Sequence, residues 1–163
     1  MYTFKNQTTT PLNFVKHLIG HYSRREALAQ GKLIDVTEQA KRFNYPCPVA
    51  ISAGLFDQCV KWDRFDTDCQ AYQDQDIRLS SVLTVARAIA KTQGFAKAEA
   101  SFILNVLPRD GYSCQKTSKR LKIVLDKDDQ NQPALTIMLV DDLHQALLDF
   151  TSIKQENDHE FGQ

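Results

Sequence analysis

The apolar residues of this chain change period near Gly94, and that change restricts the folds open to it. Over 77–92, Leu79, Val82, Leu83, Val85, Ala86 and Ile89 recur at helical spacing, so a single helix with a broad apolar stripe is expected there. Beyond Gly94, the segments 101–107, 119–126 and 134–140 are rich in Ile, Val, Leu and Phe. The clusters Pro108-Arg109-Asp110-Gly111 and Asp128-Asp129-Gln130-Asn131 separate them. That pattern predicts a meander of three antiparallel strands. In the middle one, Leu121, Ile123 and Leu125 alternate with Lys122 and Val124, as in a half-buried strand.

The first half reads as short helices. Pro11 opens one, with Leu12, Val15, Leu18 and Ile19 on a face. Ser23-Arg24-Arg25-Glu26 is a capping box ahead of Ala27-Leu28-Ala29, and Gly31 supplies a left-handed stop. Asp35 to Glu38 predicts another helix start, running to about Phe43. Tyr45-Pro46-Cys47-Pro48 must be extended before each proline. Val49-Ala50-Ile51 reads as a short buried strand, after which Ser52 caps a helix with Leu55, Phe56, Cys59 and Val60 inward. Residues 63–76 read as an acidic loop. The expected fold is therefore α+β, a cluster of short helices packed on a small antiparallel sheet of about three strands. A chain of 163 residues supports one such core. We place the domain at 11–154, between a loose arm at 1–10 and a frayed tail at 155–163.

The sheet carries apolar residues on two faces. Leu135, Ile137 and Leu139 oppose Met138 and Val140, and Phe102, Leu104 and Val106 oppose Ile103 and Leu107. A second apolar face needs a cover. The expected cover is a C-terminal helix bearing Leu143, Leu147 and Phe150, and the alternative is a homodimer or partner interface.

Charge and cysteine usage narrow the function classes. The net charge is zero, yet 1–62 carries +4, 63–78 carries −3, 79–125 carries +6 and 126–163 carries −7. Such segregation can present a basic and an acidic face. The four cysteines, Cys47, Cys59, Cys69 and Cys114, form no CxxC pair, which argues against a zinc ribbon or redox motif and for reduced thiols in or near the core. No apolar run approaches the ~18 residues of a membrane helix, and MYTFKNQTTT lacks the apolar core of a secretory signal. A cytoplasmic protein without membrane contact is expected.

Two candidate sites stand out. Arg109, Lys116, Lys119, Arg120 and Lys122 make the densest basic stretch, on a hairpin with Tyr112 at its tip. Such a hairpin could hold phosphate backbone and stack a base, or could contact a protein. Asp74, Asp76 and Arg78 gather at the mouth of the main helix, where paired carboxylates could do acid–base work but more often cap. His17 and His21 are four apart, but Gly20 interrupts any shared helical face and there is no HExxH. We expect no metal, no cofactor and no catalytic residues.

Three stretches, YSRREALAQGKLIDVTEQA with the following YPCPVAI, AYQDQDIRLSSVL, and LTIMLVDD, together resemble a family of small proteins of unknown function. Bacterial plasmids and other mobile elements encode that family. The resemblance spans about 14–142, while FAKAEA and KWDRFDTDCQ depart from it. It implies a bacterial mobile-element setting and transfers no catalytic residues. Its context suggests antagonism of a host-defence complex of the restriction or CRISPR type. The leading expectation is thus a non-enzymatic interaction protein with a protein or protein complex as partner. A nucleic-acid-binding accessory protein using 109–122 is the alternative, and an enzyme built on Asp74, Asp76 and Arg78 is third.

Overall fold

In the computed structural model, residues 23–93 and 98–141 are described. Their elements in chain order are α1 (Arg24–Ala29), β1 (Leu33–Asp35), α2 (Thr37–Lys41), β2 (Val49–Ser52), α3 (Ala53–Leu55), a π-helical turn (Phe56–Val60), α4 (Arg64–Cys69), α5 (Gln75–Gln93), β3 (Glu99–Val106), β4 (Thr117–Lys127) and β5 (Pro133–Leu139). The fold is α+β, but the sheet has five strands rather than three and is mixed, in the order β1-β2-β5-β4-β3.

The expected meander is present. β3 pairs antiparallel with β4 from Glu99↔Val124 to Val106↔Thr117, and β4 with β5 from Leu121↔Leu139 to Lys127↔Pro133. The correction concerns the other flank of β5, where β2 adds in parallel with Val49↔Leu135 and Ile51↔Ile137. β1 then pairs antiparallel with β2, Ile34 opposite Ile51. Every residue of β2 is buried, as suits a central strand flanked on both sides. Pro133 opens β5 at the one end where its missing N–H does no harm.

Asp35 was expected to start a helix but is the last residue of the edge strand β1. The Asp35 carboxylate instead accepts from Thr37 N at 2.9 Å and so starts α2 two residues later. The acidic loop expected over 63–76 contains α4. Asp63 and Asp66 form a reciprocal box, with Asp66 N on Asp63 Oδ1 at 3.1 Å and Asp63 N on Asp66 Oδ2 at 2.9 Å. Other local signals are realised as read. Glu26 N donates to Ser23 Oγ, Leu55 N donates to Ser52 Oγ, and Gly31 adopts φ +70° in a Schellman closure with Lys32 N on Ala27 O.

One face of the sheet holds the main core. Leu121, Ile123, Leu135, Ile137 and Leu139 pack there with Leu55, Cys59 and Val60 of the α3–π segment and with Leu79, Val82, Leu83 and Ala86 of α5. The α5 stripe runs as read, although Ile77 lies outside it, 65% exposed. The buried Tyr45 hydroxyl donates to Leu83 O at 2.8 Å, and burial raises its pKa against the opposing charge of Arg87.

The second face is smaller. Ala27 of α1 packs with Leu33, Ala50, Val124 and Met138, so α1 covers part of the face for which a C-terminal helix was expected. That helix, with Leu143, Leu147 and Phe150, lies outside the described residues, as do His17 and His21. Arg24 fastens α1 across the sheet, its Nη1 on Thr136 Oγ1 at 2.7 Å and its Nη2 on Leu135 O at 2.9 Å. The carboxylate of Asp129, from the β4–β5 turn, accepts from the Arg24 and Arg25 amides. No helix among the described residues is long and apolar enough to cross a membrane.

Leu83 has no exposed surface and lies where α5 meets the sheet. Leu83→Ala should destabilise the protein by roughly 2–5 kcal/mol, measured by urea unfolding. A midpoint within error of wild type would show that α5 does not form the centre of the core.

Candidate functional site

At one end of the sheet α4, the first turn of α5 and the 107–116 connection are bonded into a single unit. The connection is a folded loop rather than a tight hairpin. Arg109 reaches α4, with Nε on Asp66 Oδ2 at 2.7 Å and Nη2 on Asp63 Oδ2 at 3.1 Å. Gln70, just past α4, sends its amide nitrogen to Pro108 O, Asp110 Oδ1 and Ser113 O, all within 3.1 Å. Asp110 organises the tip, accepting from the Tyr112 and Ser113 amides and from the Ser113 hydroxyl. Gly111 takes φ +82° there, a conformation that favours glycine.

Arg78 is the buried cation of this unit. It is only 6% exposed, with Nη1 on Gln73 Oε1 at 3.0 Å and Nη2 on Leu107 O at 3.1 Å. Its guanidinium lies over the Trp62 ring, 4.7 Å from the centroid, in cation–π geometry. Trp62 Nε1 in turn donates to Thr67 of α4. Burial lowers the Arg78 pKa, against the opposing charge of the Asp66 carboxylate. Arg78 Nε and Gln70 Oε1 are buried without a hydrogen-bond partner.

The sequence-derived candidates separate in space. Asp74 caps α5, accepting from Ile77 N at 3.0 Å, while Asp76 is exposed and Arg78 turns inward. These three do not converge on a shared cleft. The basic stretch divides as well. Arg109 is held by two carboxylates, Lys119 Nζ donates to Gln58 Oε1 at 2.7 Å, and Lys122 Nζ pairs with Glu99 at 2.9 Å. Lys116, Arg120 and Tyr112 are exposed, Tyr112 by 79%.

Sequence reasoning missed the aromatics of the acidic segment. Phe65 is 72% and Tyr72 80% exposed. Their signal was available, because two aromatics in a segment too polar to bury them must face water or a partner. It also missed Gln70, whose role depends on a loop about forty positions away in sequence.

Two cavities lined by described residues flank the sheet. The larger, about 360 Å³, is apolar and lies at the seam of β2 and β5, among Pro46, Cys47, Pro48, Leu125 and Pro133. Burial raises the Cys47 thiol pKa, despite Arg24 nearby, so it is a poor nucleophile. The smaller, about 180 Å³, lies between the π turn, α5 and β3, with Arg78 and Lys116 on its wall. Of the cysteines, Cys59 is buried and Cys47 half-buried, but Cys69 and Cys114 are exposed rather than in the core. No group of three or more potential metal ligands occurs among the described residues.

Asp66 gives the unit a pH signature. Desolvation alone would raise its pKa, but the Asp63 amide and the Arg109 guanidinium outweigh that and hold it below the usual carboxylate range. A depressed folded-state pKa adds stability that is fully present above the unfolded value, about 3.9, and is lost as pH falls through the folded one. Asp66→Asn should therefore lower Tm by a constant amount between pH 5 and 8, with the gap to wild type closing below about pH 4. A gap that stays constant to pH 2.5 would show that the Asp66 charge contributes nothing.

Compared with known proteins, the chain matches no family model, no curated protein and no solved structure.

Proposed function

We propose that this protein is a binding module without catalytic chemistry, and that a protein partner docks on the end formed by α4, the first turn of α5 and the 107–116 loop. One observation carries the reading. Among the described residues the exposed large hydrophobics are Phe65, Tyr72, Ile77, Ile103 and Tyr112, and all but Ile103 belong to this end. Exposed apolar side chains scattered singly need no explanation, but several on one braced unit do. Aromatic anchors on a preorganised surface with arginine nearby are what protein interfaces favour. Bracing by Arg109 and Gln70 fixes the anchors before binding, which reduces the ordering cost of association.

The resemblance to plasmid-encoded proteins supports a host-defence complex as the partner. The nucleic-acid reading has less support, since Arg109, Lys119 and Lys122 are engaged within the protein. The cations that remain on the loop and its flank, Lys116 and Arg120, make a small electrostatic footprint.

The variant Phe65→Ser/Tyr72→Ser/Tyr112→Ser should keep the wild-type Tm within a few degrees, because exposed positions contribute little to stability. Against the partner recovered with the wild-type protein and then purified, it should bind at least roughly 100-fold more weakly. Wild-type binding should change little between 50 and 200 mM salt, whereas phosphate contacts would lose affinity steeply. Unchanged affinity in the variant would place the interface elsewhere.

A further inference from the structure

The 180 Å³ cavity shares Ile77 with the exposed apolar residues of this end. Its wall among the described residues holds two cations, Arg78 and Lys116, and no carboxylate. Leu104, Val106 and Leu107 supply an apolar lining. The electrostatics of Arg78 are unusual for a structural arginine. A guanidinium carries five N–H donors and stays charged, and burying such a charge is costly unless an anion or a full set of acceptors meets it. Here the acceptors are neutral, a glutamine oxygen and a backbone carbonyl. None of the ion pairs among the described residues includes Arg78, and Nε has no partner. Asp66, a nearby carboxylate, is already taken by Arg109 and the Asp63 amide.

We propose that this cavity is a carboxylate site, and that the protein partner fills it with a Glu or Asp side chain. The identity of the partner as a protein rests on the preceding reading, but the carboxylate chemistry rests on the cavity. A planar guanidinium whose Nε donor is open matches a carboxylate, and a second cation on the wall adds attraction. The apolar lining suits the methylenes of an acidic side chain and disfavours a phosphate, which would need donors on every side. The exposed aromatics and the buried cation then act as one interface, apolar contact around a single charged anchor.

Trp62, the chain's one tryptophan, stacks on Arg78 and reports directly on the site. Sodium propionate, which reproduces the glutamate side chain, should change Trp62 fluorescence saturably at constant ionic strength. Propionamide, chloride and inorganic phosphate should not. Lys116→Glu, at an exposed position that leaves the fold intact, should weaken the propionate response at least about tenfold. Propionate, but not propionamide, should compete with the purified partner. The absence of a saturable response, an equal response to propionamide, a response to phosphate in its place, or an unaltered Lys116→Glu variant would overturn the carboxylate site. Binding of propionate without competition would overturn its use by the partner. The Phe65/Tyr72/Tyr112 variant separates the two readings, because it should keep the propionate response while losing the partner. If it keeps both, the aromatic surface fails and the carboxylate site stands.

Discussion

The described fold hangs from β5, a strand with neighbours on both sides and cover on both faces. Its antiparallel bonds to β4 close a local meander, and its parallel bonds to β2 bring in a segment more than eighty residues upstream. Between those pairings the chain must run out over the α3–π segment, α4 and α5 and return through β3 and β4. The parallel junction therefore fixes one sheet face as the main core and gathers the intervening short elements at its end. Arg24, bonded to Thr136 and Leu135 on the opposite face, ties the N-terminal part of the described chain to the same strand.

The proposed site follows from how that excursion is closed. α4 has six residues, too few to persist as an isolated helix. Its stability comes from the Asp63–Asp66 box, and the same two carboxylates hold Arg109 on the loop. Gln70 repeats the tie at the other end of α4, and Arg78 adds a third from α5 to Leu107 O. Each tie joins a segment carrying an exposed aromatic or aliphatic residue to one carrying another. Rigidity and exposure are thus produced by the same bonds, and a preorganised apolar surface results. The π-helical turn, whose Lys61 N reaches Phe56 O at 2.7 Å, places Cys59 against the cavity beside Arg78. Such turns are frequent at functional sites.

Much of this architecture was legible in the residues, where the signal was local. The α5 stripe, the Ser23 and Ser52 caps, the Gly31 stop and the β3–β5 meander are each written within a few neighbouring positions. β1 was not legible, because three residues with one polar member carry no period, and Asp35 caps α2 from a strand rather than from within the helix. α4 hid behind its acidity, since an Asp–Asp box resembles loop composition. The site was harder still. Asp74, Asp76 and Arg78 are neighbours in sequence, yet helical geometry sends one to a cap, one to solvent and one into the interior. The basic stretch on 109–122 likewise alternates along β4, so Lys119 and Lys122 fall on opposite faces and meet different partners. Only tertiary bonds that span about thirty to forty positions, Gln70 to 108–113 and Arg78 to Leu107, reveal which residues act together.

The central claim is that this end of the molecule is held rigid before any partner arrives. Backbone 15N order parameters of the 107–116 loop in the isolated protein test it most directly. The bracing by Arg109, Gln70 and Asp110 predicts values near those of the strands for Asp110, Tyr112 and Ser113, about 0.85. Values below about 0.6 across these residues would contradict the account, because the aromatic surface would then have to be ordered by the partner.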